Sequence, residues 1–162
     1  DIKVAELLER LKDESVNEEV DIKQLVHDYS VGNKIGESAS ITGTELIVTD
    51  KNEKETVYQL PEEEFFVSIA PYMNHTHPWT YHNLTGCQGE LGEETFAVYI
   101  EDENGNVVVD EQITSHANGF IDLWLPRNKT YNVRIEYDGK IAEAEISTFN
   151  NDPTCITTMQ LL

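Results

Sequence analysis

Apolar residues fall at helical spacing near the start of the chain and switch to alternation from Ser38 onward. Val4, Leu7, Leu8 and Leu11, set among Glu and Lys, predict an amphipathic helix over roughly residues 2–13. Asn17, followed by Glu18 and Glu19, predicts the N-cap of a second helix. Its apolar face is Val20, Ile22, Leu25, Val26 and Tyr29, and Gly32 supplies the stop. His27 lies beside that face and reads as a structural histidine. "SITGTELIVTD" and "ETVYQL" are strand candidates joined by the polar turn "DKNEK", which predicts a hairpin. Pro61 and the acidic run Glu62–Glu64 then mark a module boundary.

Beyond Pro61 the pattern is all β. "FFVSIAPY", "TFAVYIED", "NVVVDEQIT", "GFIDLWLP", "TYNVRIEYD", "KIAEAEIST" and "CITTMQL" are short alternating runs separated by turn residues. Asn104-Gly105 and Asp138-Gly139 are hairpin turn signals. The expected fold is therefore α+β. A helical pair and β-hairpin (residues 1–61) precede an antiparallel β-sandwich of immunoglobulin or transthyretin type (residues 62–162).

Composition narrows the function. A hydrophobic fraction of 39% in 162 residues is enough for a packed core. Thirty-one acids against 11 bases give a net charge of −20, which argues against nucleic acid and anionic membrane surfaces as partners. There is no run of eighteen apolar residues, so no transmembrane helix is expected. A chain that begins with Asp1 rather than Met reads as a processed or trimmed product.

The chemistry concentrates in "APYMNHTHPWTYHNLTGCQGEL", which holds Met73, His75, His77, His82 and Cys87. His75 and His77, two apart in an extended segment, can share a side with Met73, and Pro78 favours that extension at His77. "DPTCITTMQ" near the C-terminus puts Cys155, Thr157 and Met159 on one strand face. Imidazole, thiolate and thioether are soft or borderline donors that favour Cu(I) over Mg or Ca. The residue types leave rival readings open. Cys87 and Cys155 would close a disulfide loop, worth ~4 kcal/mol in the chain-entropy model, in a structural or adhesive sandwich with no metal role. His75, His77 and His82 would make a three-imidazole zinc hydrolase. Met73 and Met159 would be core filler. Signatures of serine hydrolases, zinc proteases and phosphate-binding loops are absent from the sequence.

The long motif "SIAPYMNHTHPWTYHNLTGCQGEL", with the late "PTCITTMQL", resembles the CueP family of bacterial extracytoplasmic copper-binding proteins. The resemblance implies a periplasmic or lipid-anchored surface protein that sequesters Cu(I), resists copper stress and hands copper to a recipient cuproenzyme. It implies no enzyme, beyond a Cu(II)-reducing side activity. Three cysteines form the copper site in the family pattern. Two map onto Cys87 and Cys155, and the third would fall at Trp79, which carries no thiol. The expected ligands are then Cys87 and Cys155, assisted from among His77, His82, His75, Met159 and Met73. Zinc is the expected competitor, and a homodimer is kept among the expected partners.

Overall fold

The computed structural model describes residues 21–78 and 80–162. The expected helix over residues 2–13, and Trp79, lie outside the described residues. Helix α1 spans Ile22–Ser30. Its N-cap is Asp21 rather than Asn17: the Asp21 carboxylate accepts the Gln24 N–H, satisfying one of the orphan donors of the first turn. Ile22, Val26 and Tyr29 form the buried stripe.

Eleven strands follow among the described residues: β1 (Ser38–Ile41), β2 (Glu45–Thr49), β3 (Glu55–Gln59), β4 (Glu64–Ile69), β5 (His82–Asn83), β6 (Thr95–Asp102), β7 (Val107–Thr114), β8 (Ile121–Pro126), β9 (Thr130–Tyr137), β10 (Lys140–Ser147) and β11 (Cys155–Ile156). The stretch "SITGTELIVTD" is two strands. Thr42 Oγ1 accepts the N–H groups of Thr44 and Glu45, turning the chain at Gly43. A Cβ at Gly43 would collide with the Asn150 carbonyl, so only glycine allows this approach. The β9–β10 turn is as the sequence predicts: Asp138 and Gly139 both have positive φ, as a two-residue hairpin of type I′ requires.

The strands form three open sheets, ordered β3-β2-β1-β5, β10-β9-β6-β7 and β11-β4-β8. This corrects the expected fold in its β architecture. One helix, not a helical pair, is present among the described residues, and the β architecture is not a closed immunoglobulin- or transthyretin-type sandwich. The reason lies in β4 and β8. Phe65, Val67 and Ile69 of β4, with Ile121, Leu123 and Leu125 of β8, pack against β6, β9 and β10 in the larger core. On the opposite face, Phe66 and Trp124 join α1, β1 and β2 in a second core. A sheet apolar on both faces becomes a middle layer, with the four-stranded sheet on one side and the helix with the β1–β3 meander on the other.

The β11 segment is the second departure from a sandwich. It pairs parallel to β4, Cys155 opposite Ser68, and ends after two residues. This brings the C-terminal cysteine to the edge of the middle layer.

Candidate metal centre

His82 is held by backbone pairing. β5 adds to β1 with His82 opposite Ile41. The buried hydroxyl of Thr154 accepts the His82 N–H at 2.9 Å and donates to the Ile41 carbonyl at 2.6 Å. One side chain thus ties β1, β5 and the start of β11 together. The N–H groups of Thr154 and Cys155 both donate to the Thr80 carbonyl.

After β5 the chain doubles back. Asn83 Oδ1 accepts the Thr85 N–H and hydroxyl, and the Asn83 carbonyl accepts the N–H groups of Gly86 and Cys87. A Cβ at Gly86 would press on the Asn83 amide, so glycine keeps this turn tight. The turn brings Cys87 Sγ within 3.4 Å of the Asn83 N–H, which donates to it.

These two local arrangements converge. One donor atom each from His82, Cys87 and Cys155 lies within 4.8 Å of the others, the one such cluster among the described residues. Both cysteines are free thiols. Ala70, Cys87, Phe120 and Cys155 form a small core of their own, and the His82 ring sits 4.4 Å from the Phe120 ring and 6.2 Å from that of Phe66. His82 is 0% exposed, and neither ring nitrogen has a hydrogen-bond partner among the described residues. A buried polar group left unpaired costs ~1–3 kcal/mol. Next to two thiols, an imidazole with a free nitrogen is a donor waiting for an acceptor.

The two thiols are unequal. The Cys155 thiol beside it holds the Cys87 thiol well below its ordinary range, against the pull of burial. The neighbouring His82 and the Asn83 N–H add to the effect. The same closeness to Cys87 pushes Cys155 strongly up, and burial and the Cys87 charge push it further. Cys87 is therefore the readier of the two to ionise.

The other expected donors lie elsewhere. His75 and His77 are exposed on the segment between β4 and β5. Three N–H groups there, of Met73, Asn74 and His75, donate to the Glu90 carboxylate, and the Thr76 hydroxyl donates to the Thr157 carbonyl. Met159 is buried in the larger core, and half-buried Met73 packs against it. Sequence reasoning passed over Thr154, Phe66 and Phe120, which carry no donor chemistry yet seat the imidazole.

Comparison with known proteins bears on the chain as a whole. No curated protein matches the chain. A solved structure titled "Crystal Structure of S.CueP" shares 38% identity with a TM-score of 0.82, covering 87% of this chain and 89% of that one. The family described as "Periplasmic copper-binding protein CueP" matches residues 21–160, nearly all of the described fold. The buried His82–Cys87–Cys155 centre thus sits in a chain that belongs to the CueP family.

Proposed function

We propose that this protein captures Cu(I) outside the cytoplasmic membrane, holding it on Cys87, Cys155 and His82. The observation that carries this reading is the unpartnered, fully buried His82 imidazole beside two free thiols. Thiolate and imidazole suit Cu(I), which is content with two or three ligands. Zinc favours four ligands, or three plus water in an open site. Here the donors are enclosed, and no fourth belongs to the cluster among the described residues. The family is one of copper binders, so the chain acts as a carrier rather than an enzyme.

Capture requires reduced thiols, because a disulfide offers no thiolate. Anaerobic titration against a Cu(I)-selective chelator should show one tightly held Cu(I) per reduced chain. The oxidised protein should hold almost none and recover on reduction. Equal affinity in both states would remove the thiols from the site.

A further inference from the structure

A second group of metal-type donors lies where α1 docks on the middle layer. The Asp122 side chain, on β8, is 12% exposed and accepts hydroxyl bonds from Ser30 and Ser68, each at 2.6 Å. His116, on the β7–β8 connection, places Nε2 3.5 Å from Asp122 Oδ2. His27, one turn before the end of α1, puts its ring centroid 5.5 Å from that of His116. His116 lines an open cleft of about 800 Å³, whose acids Glu37 and Glu93 outnumber Lys34.

We propose that His27, His116 and Asp122 form a second metal site, for a borderline divalent cation such as Zn²⁺ or Cu²⁺. The His116–Asp122 distance fits one ion, and the His27 ring must turn to bring a nitrogen to it, because these three side chains do not gather their donor atoms as closely as the thiol centre does. Bonds of ~2.1 Å to nitrogen and oxygen in a tetrahedral site put two ligand atoms ~3.4 Å apart. The His116–Asp122 separation has that length and is long for a hydrogen bond. Two imidazoles on the same ion would have centroids ~5.3 Å apart by the same geometry, close to the 5.5 Å observed. His27 is exposed on the helix, so a change of rotamer can aim a ring nitrogen at the shared point.

Two imidazoles and a carboxylate are harder donors than the thiol centre and select a divalent ion over Cu(I). One position is left for water from the cleft. The C-terminal end of α1 favours positive charge beside His27, as does a chain of net charge −20. A bound ion would staple the helix to the middle layer.

The test uses the full reduced chain with its thiol centre first filled by one equivalent of Cu(I). Zn²⁺ added under calorimetry should bind as one further equivalent, without releasing Cu(I), and should raise the melting temperature. His27→Ala and His116→Ala should each weaken that event about tenfold or more, remove the thermal shift and leave the Cu(I)–thiolate absorption unchanged. His27 is exposed on the helix, so His27→Ala should fold as the parent does. A His75→Ala/His77→Ala double variant should bind Zn²⁺ as the parent does. Absence of a further equivalent, entry of Zn²⁺ only by displacing Cu(I), or full binding in His27→Ala would overturn the site. So would its loss in the His75/His77 variant instead.

Discussion

Two adjacent stretches of one sequence window carry metal-type donors and meet opposite fates. From Met73 to His77 the chain offers a thioether and two imidazoles, yet both histidines face solvent and Met73 leans on the larger core. From His82 to Cys87 it offers one imidazole and one thiol, and both are buried against Cys155. The difference is in what the backbone does. The first stretch is bonded outward, its N–H groups on Glu90 and its Thr76 hydroxyl on Thr157. The second is a strand and a tight turn, paired to β1 and closed by Asn83. Donor density along a sequence marks a neighbourhood; paired backbone and aromatic cover choose the ligands within it.

The comparison breaks most sharply at the thiols. Cys87→Ser and Cys155→Ser should each lower Cu(I) affinity by more than ~100-fold, beyond the cost of losing an outer-shell partner. A competing-chelator titration checks this, and retained affinity in either variant would relocate the site. His82→Phe is expected to have the next largest effect, weakening Cu(I) ~10- to 100-fold. It should also move apo stability the other way. Removing two unpartnered buried nitrogens should stabilise the metal-free protein on the order of 1 kcal/mol, read as a higher denaturant midpoint. A fall in apo stability would mean that His82 is satisfied without metal.

The inequality of the thiols sharpens the picture further. Cys87 is held low, which favours its thiolate near neutral pH, whereas Cys155 is pushed up, which favours its thiol. Ligation by both should then release about one proton per Cu(I) at pH 7, measurable as the dependence of binding heat on buffer ionisation. Release of two would place both thiols in the protonated form beforehand. The smallest effect belongs to the exposed stretch: His75→Ala and His77→Ala should leave Cu(I) affinity within about twofold. A tenfold loss in that assay would bring the exposed imidazoles into the centre.

Much of this was legible in residue order, and the gaps have physical causes. Alternation and the Asp138-Gly139 turn marked β9 and β10, and the motif around Cys87 with the late Cys155 pointed to a shared sulfur site. The layering was not legible, because a run such as "EFFVSI" reads the same whether its second face meets solvent, helix or sheet. Only the docking of Phe66 and Trp124 on the α1 core shows that β4 and β8 are a middle layer. The cap at Asp21 was hidden because Asn17 and Asp21 are both good N-caps, and local pattern does not rank them. His82 could not be ranked above His75 or His77 from spacing. Its choice depends on Thr154, 72 positions away in sequence, holding its backbone, and on Phe66 and Phe120 enclosing its ring.

Copper K-edge X-ray absorption on the Cu(I)-loaded reduced protein tests that choice most directly. Two sulfurs and one imidazole nitrogen are expected around the copper, with the imidazole signal lost in His82→Phe and unchanged in His75→Ala/His77→Ala. An imidazole signal that survives His82→Phe and disappears with the exposed histidines would contradict it.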